Sequence, residues 1–526
     1  MMPRKKSLTA SWLPLKRNWL SDKNALTFKS CGLIRIFLTV PAFTGIPRFF
    51  LRRKQLTRHS STVQPKLSVL TRQQIEQIHQ YSLDILSSVG LRVDSGKALE
   101  FFSRAGSGIR IEAGRAFIQP EIVDWAINVA HAGIKIHNRM GDVAFTAGQG
   151  THYGVGVTNL YYQDPLTESV LLFGRQHMAL GTRLANALPA YEMVSTIGII
   201  RDVPDGTDDL YAVLEMAANT TKPLVILNSD ERQFGPSLDL LESLAEKPFV
   251  IPYFNPVTPL IINRETGDKL ILAIQRGLPV IYSNYSMAGT TTPITAAGTL
   301  ALLNAELLGG LVLSQLVREG APIILGSLPA FFDMKSMTDF YDPQTILLNA
   351  ACAEMMAFYH LPHAGTSGSG LGWGADLPGA GMHWLNHLTT CLGMTGLVPF
   401  VGGSLGSKAF SPTSVVYANE IILQARSFAQ GFPLNDEAVA LDEIEVVGPG
   451  GNFLMAKSTR QNFRSAYFTS GIFPRISLEK WEEKGRPVAI DILKQETIKN
   501  IREATAPDDH DTILAIGEEF IRKFRQ

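Results

Sequence analysis

The sequence predicts an α/β protein: a (β/α)8 TIM-like barrel with an N-terminal α+β region before it and a C-terminal helical tail after it. Three observations carry this expectation. From about residue 190, apolar runs of four to eight residues, rich in Val and Ile and bounded by Gly, Pro or Asn, recur along the chain. They lack polar alternation, the pattern of strands covered on both faces. Amphipathic stretches of helical length lie between them, so that strand and helix alternate as a parallel sheet requires.

Taken in order, residues 67–190 form the N-terminal region. LTRQQIEQIHQYSLDILSSVG opens it as a helix, with Thr71 as N-cap, Gln74 at the capping-box position and Gly90 as the stop. QPEIVDWAINVAHAG at 119–133 is a second helix. The main part of the barrel spans 191–440. Its strands are expected in MVSTIGII at 193, PLVILN at 223, FVIPYF at 249, LPVIYSNY at 278, APIILGSL at 321, LPHAGTS at 361 and LVPFVGG at 397, with an eighth around GTHYGVG at 150. Eight strands close a barrel, whose chemistry then sits in the loops that follow each strand. The tail, 441–526, carries helical LEKWEEKGRP, VAIDILKQETIKNIREA and HDTILAIGEEFIRKF.

The net charge of zero conceals two unlike parts. Residues 1–66 hold fourteen of the 48 Lys and Arg but one of the 48 acids, Asp22, so the remainder is acidic by thirteen charges. An acidic body is a poor nucleic-acid binder. The apolar piece CGLIRIFLTVPAFTGIPRFF is interrupted by Arg35, Pro41, Pro47 and Arg48. It does not fit a membrane span, which needs about twenty nearly uninterrupted apolar residues. Two readings of 1–66 stay open: a basic transit-like leader, or sequence upstream of a start near Val63 or Pro65. Cys31, Cys352 and Cys391 are far apart without a CxxC, which suits a reducing cytoplasm and gives no thiolate zinc site.

The segment GTSGSGLGWGADLPGAG, 365–381, has seven glycines in seventeen residues. It is not a Walker loop, and its GLGWGA is followed by DLPG rather than an apolar helix, so a dinucleotide fingerprint fits poorly. A flexible loop and an open barrel mouth both remain. His383 and His387 share a helix face at i and i+4, but Trp384 stands where a zincin carries its Glu. In AFFDMKSMTDFYD, Phe331, Phe332, Phe340 and Tyr341 interleave with Asp333, Asp339 and Asp342. With Tyr153, Tyr282, Tyr285 and Trp373 they suggest aromatic faces plus a carboxylate, the means of holding a quaternary ammonium that cannot donate a hydrogen bond. The bland alternative is that many of these rings are core.

Residues 286–327, SMAGTTTPITAAGTLALLNAELLGGLVLSQLVREGAPIILGS, resemble the trimethylamine methyltransferase family. The match lies in Ala288-Gly289, Pro293, Thr295, Ala297-Gly298, Asn304-Ala305-Glu306, Gln315-Leu316 and Gly320-Ala321-Pro322, with Glu319 in place of the family's Pro. It extends through DPLTESVLLFG, NTTKP and VVGPGGNFLMAKSTRQNFR, covering about 67–505. The resemblance implies a barrel enzyme that passes a methyl group from a methylated amine to the cobalt of a separate corrinoid protein, with no cofactor permanently bound and no metal of its own. Founding members carry pyrrolysine and then D-x-Q-A-x-x-E. Here Trp373 falls near that place, and the signature keeps Asp376 but not the Gln or Glu. That points to the non-pyrrolysine branch and a quaternary amine such as a betaine.

On this reading His363, Asp376 and Glu306 are the catalytic candidates. Asp333 or Asp342 complements the cation, and Gly368, Gly370, Gly372 and Gly374 face the corrinoid. The partners are the amine and the corrinoid protein, with self-association compatible and no stable membrane insertion. Two other readings stay open. One is a metal-dependent hydrolase or lyase using His363, His383, His387 and Asp376. The other is a betaine-binding barrel without chemistry.

Overall fold

The computed structural model describes residues 61–366, 370, 372–393 and 395–526. Eight strands close into a parallel barrel: β1 (His152–Val155), β2 (Tyr191–Ser195), β3 (Leu224–Ile226), β4 (Val250–Phe254), β5 (Val280–Ala288), β6 (Ile323–Asp333), β7 (His363–Ala364) and β8 (Leu397–Val401). Each pairs with its successor, and β8 returns to β1 through Leu397–His152 and Val398–Tyr153. A helix follows every strand: α1 (Arg175–Ala187), α2 (Asp208–Asn219), α3 (Glu231–Glu242), α4 (Arg264–Gln275), α5 (Ala296–Val317), α6 (Pro343–Phe358), α7 (Leu377–Leu392) and α8 (Pro412–Gln430). All seven apolar runs are barrel strands, and GTHYGVG supplies β1. The barrel therefore begins inside 67–190, at the GTHYGVG segment, and its main part follows from 191.

Strand parity separates two cores. Met193, Val225, Ile251, Ile281, Ile324, Ala364 and Leu397 turn into the lumen and pack together. Their neighbours, such as Val194, Leu224, Tyr282 and Leu325, turn outwards against the helices. The hairpin Ile134–His137/Val143–Ala147 places Ile134, Ile136, Phe145 and Ala147 under the lumen residues, flooring the barrel at the N-terminal ends of its strands. The C-terminal ends form the opposite, loop-rich face.

The first helix, Arg72–Asp84, has its expected capping box: Gln74 N–H donates to Thr71 Oγ1 at 3.3 Å and Thr71 N–H to Gln74 Oε1 at 2.8 Å. The second is shorter than expected, Pro120–Val129. Helix α5 is apolar all round and long enough to cross a membrane by composition alone, yet it is 83% buried. It packs against the N-terminal helices on one side and β5 and β6 on the other, which explains a helix with no polar face. The tail helices are Leu478–Glu483, Ala489–Glu503 and His510–Phe524; the last two lie against α8 and α2 on the outside of the barrel.

One boundary moves. Residues 61–66, expected to belong to a leader, join the body: Ser61–Val63 pairs antiparallel with Phe432–Leu434, and Leu67 N–H donates to the Leu392 carbonyl. The remaining leader expectation lies outside the described residues.

Candidate functional site

The loop-rich end of the lumen is polar and aromatic where its floor is aliphatic. Continuing the inward parity upward from Ile251, Ile281 and Ile324 brings Tyr253 on β4, Ser283 and Tyr285 on β5, and Leu328 and Phe332 on β6 to this end. Phe400 of β8 meets Tyr253 edge-on, with ring centroids 4.9 Å apart.

Strand β6 overruns the barrel and folds back. Thr338–Phe340 pairs antiparallel with its end, placing Phe340 opposite Phe331 and Asp339 opposite Phe332. Directly opposed residues share a sheet face. Phe340 therefore joins Phe331 on the outer side, centroids 6.2 Å apart, while Asp339 turns to the lumen side with Phe332. The Tyr285 hydroxyl donates to Asp339 Oδ2 at 2.6 Å. Tyr341 has the same parity as Asp339, and its hydroxyl lies close to those of Tyr285 and Tyr253. Three tyrosines and one carboxylate thus gather over the upper lumen.

Burial pushes the hydroxyls of Tyr253, Tyr285 and Tyr341 well above the ordinary phenol range, and the nearby charge of Asp339 pushes Tyr285 and Tyr341 in the same direction. They stay neutral at physiological pH and present ring faces and fixed dipoles rather than exchangeable protons. A cavity of about 150 Å³ adjoins this end at strands β1–β3, lined by Thr158, Thr196, Leu227, Asn228, Asp208 and Asp209 among others. Leu227 also packs on the lumen core.

Several expected residues stand elsewhere, and the geometry says why. Asp333 folds onto its own turn, accepting from Lys335 N–H, Ser336 N–H and Ser336 Oγ. Asp342 caps α6 by accepting from Thr345 N–H at 2.8 Å. Asp339 takes the place at the lumen expected for one of these two.

Tyr282 has outward parity, is 1% exposed and packs on Gly310 of α5. Tyr153 also lies outside the barrel wall, edge-on to His387 at 5.7 Å and bonded to Cys391 Sγ at 3.1 Å. Both are helix–sheet core, the bland reading weighed for them. Phe331 is likewise packed outward.

The three catalytic candidates are separated. Glu306, on α5, is buried outside the lumen and accepts from Leu260 N–H at 2.6 Å, Thr258 Oγ1 at 2.9 Å and Asn284 Nδ2 at 3.0 Å. It ties down the β4–α4 loop, and burial raises its carboxyl to about 7 against those three bonds. His363 shares parity with Leu325, opposite to Ala364, so its ring faces the helices near the barrel floor. It lines a cavity of about 410 Å³ with Gly148, Gly150, Glu354 and Leu67. The Thr395 carbonyl accepts from its Nδ1–H at 2.8 Å, and burial lowers its imidazole to about 4. His363 therefore faces away from the mouth. Asp376 is the N-cap of α7, accepting from Gly379 N–H at 2.7 Å and Trp373 N–H at 2.8 Å.

Close packing accounts for several of the described glycines of the run. Gly372 has φ +71°, and a Cβ there would sit 2.6 Å from Asp376 Oδ1; one on Gly370 would sit 2.6 Å from Ser407 Oγ. Gly374 borders Gln163, whose Nε2 donates to the Trp373 carbonyl at 3.0 Å. Gly368 lies outside the described residues. Trp373 itself is 76% exposed and Leu377 89%, and Ile294, Met334 and Met337 are also exposed on loops of this face. The mouth therefore has an apolar rim.

His383 and His387 are buried between α7 and α8, stacked at 5.4 Å with Nδ1 of His383 3.3 Å from Nε2 of His387. Among the described residues no three of His, Cys, Asp and Glu gather as ligands for a metal ion.

Two residues of the candidate site were not singled out from the sequence. Tyr253 was hidden in FVIPYF because a strand buried on both faces shows no alternation to reveal its inward side. Asp339 was visible in its loop, but nothing in the sequence separates it from Asp333 and Asp342. Its signal is the β6 hairpin register.

Among characterised proteins, the chain is 28% identical to a glycine betaine methyltransferase of Desulfitobacterium hafniense strain Y51 over 436 residues, 80% of this chain and 89% of that protein. It is 27% identical to the trimethylamine methyltransferase MttB of Desulfitobacterium hafniense over 462 residues, 84% and 92% of the two chains. The crystal structure of the Methanosarcina barkeri monomethylamine methyltransferase (MtmB) aligns over 82% of this chain and 93% of its own, at 10% identity and a TM-score of 0.46. The sequence model of the trimethylamine methyltransferase (MTTB) family matches residues 51–526, and the chain belongs to that family.

Proposed function

We propose that this protein transfers a methyl group from a quaternary amine to the Co(I) of a corrinoid carried by a separate protein. The observation that carries this reading is the grouping of Tyr253, Tyr285, Tyr341 and Asp339 over the upper lumen, at the barrel end where chemistry is located, in a chain of this family. Ring faces and a carboxylate attract an alkylated ammonium whose charge is spread over its methyl groups.

The corrinoid supplies a cobalt nucleophile; the methyl carbon exchanges its bond to nitrogen for one to cobalt, and the electron pair of the broken bond stays on the departing tertiary amine. That amine leaves neutral and needs no proton. The site agrees: its tyrosines are held neutral, and His363, His383 and His387 all point elsewhere. The protein's contribution is to hold the ammonium, orient one methyl group outwards and exclude water. The apolar rim of Ile294, Met334, Met337, Trp373 and Leu377 suits contact with a broad, flat acceptor and its carrier.

The test is anaerobic incubation with free cob(I)alamin and a panel of quaternary amines, followed by absorption spectroscopy. Conversion of Co(I) to methylcobalamin that requires both amine and protein supports the reading. Amine binding without conversion favours the non-catalytic barrel, and neither binding nor conversion removes the quaternary-amine reading.

A further inference from the structure

We infer that the amine carries no carboxylate: the site is built for a plain alkylammonium cation, such as a tetramethylammonium- or choline-type molecule, rather than a zwitterionic betaine. The inference rests on the quaternary-amine reading above and deepens it.

A betaine brings a carboxylate a few bonds from its nitrogen, and a site that binds it well offers that group a base or several aimed donors. The eight strands carry no Lys or Arg. In sequence, the eight strand-to-helix loops of the mouth (156–174, 196–207, 227–230, 255–263, 289–295, 334–342, 365–376 and 402–411) carry three bases, Arg201, Lys335 and Lys408, against eight acids. All three bases are exposed. The charge that does reach the lumen is negative: Asp339, hydrogen-bonded to Tyr285. The adjoining cavity of about 150 Å³ adds Asp208 and Asp209, the latter 6% exposed. Of the hydroxyls here, Tyr285 donates to Asp339, while those of Tyr253 and Ser283 are buried without a hydrogen-bond partner and offer neutral donors but no base. A substrate carboxylate entering here would lose water and meet like charge, with no base to offset either. A cation without one meets only attraction.

The experiment is calorimetric titration of the full chain with tetramethylammonium, choline, glycine betaine and γ-butyrobetaine, at low and high salt. Tetramethylammonium or choline is expected to bind at least about tenfold more tightly than either betaine, with affinity falling as salt rises. Asp339→Asn is expected to cut cation affinity about tenfold and to narrow the gap to the betaines, its fold checked by circular dichroism. Betaine binding equal to or tighter than that of the plain cations overturns this inference while leaving the quaternary-amine reading standing. Binding of none of the four overturns both.

Discussion

The Tyr285 hydroxyl lies 2.6 Å from Asp339 Oδ2, joining the lumen side of β5 to the folded-back end of β6. This bond places a lumen-side carboxylate of the mouth next to an aromatic ring, and it separates two roles that mutation can resolve. Tyr285→Phe keeps the ring and frees the carboxylate, so amine affinity is expected to change by less than about 1 kcal/mol. Tyr341→Ala removes a ring face and is expected to cost about 1–2 kcal/mol of amine binding, whereas Tyr341→Phe costs little. Titration calorimetry on the three variants checks the ordering.

Tyr282 is a packing residue despite its place beside Tyr285. Tyr282→Ala is expected to destabilise the fold by about 3–5 kcal/mol in urea unfolding. Tyr282→Phe should leave amine affinity unchanged. Gly310→Ala meets the same ring from the other side and is expected to destabilise as well, because its Cβ would overlap Tyr282.

Glu306 gives a pH signature. Its carboxyl is raised to about 7, so proton uptake favours the folded state fully below about 4.5 and ceases to do so as pH rises through 7. Relative to Glu306→Gln, the wild-type protein is expected to lose stability of the order of 3 kcal/mol between pH 5 and pH 8. Thermal melting of both proteins across that range reads the difference. Glu306→Ala leaves the donors of Leu260, Thr258 and Asn284 without their acceptor and should destabilise at every pH.

The buried histidines act in the opposite sense. Burial lowers His383 to about 4, with Asp376 opposing, and lowers His387 further, with His383 adding to the effect. Their contribution is present above the unfolded value near 6.5 and is lost as pH falls towards 4, by about 1.4 kcal/mol per pH unit for each group. His383→Gln is expected to flatten the loss of melting temperature between pH 7 and pH 5. A variant as acid-sensitive as the wild type would remove His383 from this account.

Trp373 stands out from the rim with its backbone held by Asp376 and Gln163. Trp373→Ala is therefore expected to change stability by less than about 0.5 kcal/mol and amine affinity negligibly. It should raise the KM for the corrinoid acceptor in the cob(I)alamin assay. An unchanged KM would detach the rim from acceptor docking.

The sequence alone determined the barrel. Strands covered on both faces must be continuously apolar, the helices between them must be amphipathic, and both patterns survive in the order of residues; all seven runs and the GTHYGVG segment became strands. It also singled out the AFFDMKSMTDFYD loop, of which Phe332, Asp339 and Tyr341 lie on the lumen side and Phe331 and Phe340 do not. Side-chain direction was decided only in three dimensions. In a strand buried on both sides, Tyr282 and Tyr285 read alike, yet parity counted from Ile281 sends one into the helix layer and the other into the lumen. The same holds for His363 beside Ala364. Among three aspartates in one loop, the register that sets Asp339 opposite Phe332 selected the one facing the lumen, and Asp333 and Asp342 were claimed by local turn and cap donors. The glycine run shows the limit from the other side: its composition is plain in the sequence, but the close approach of Gly370, Gly372 and Gly374 to Ser407, Asp376 and Gln163 depends on loops brought together only by closure of the barrel.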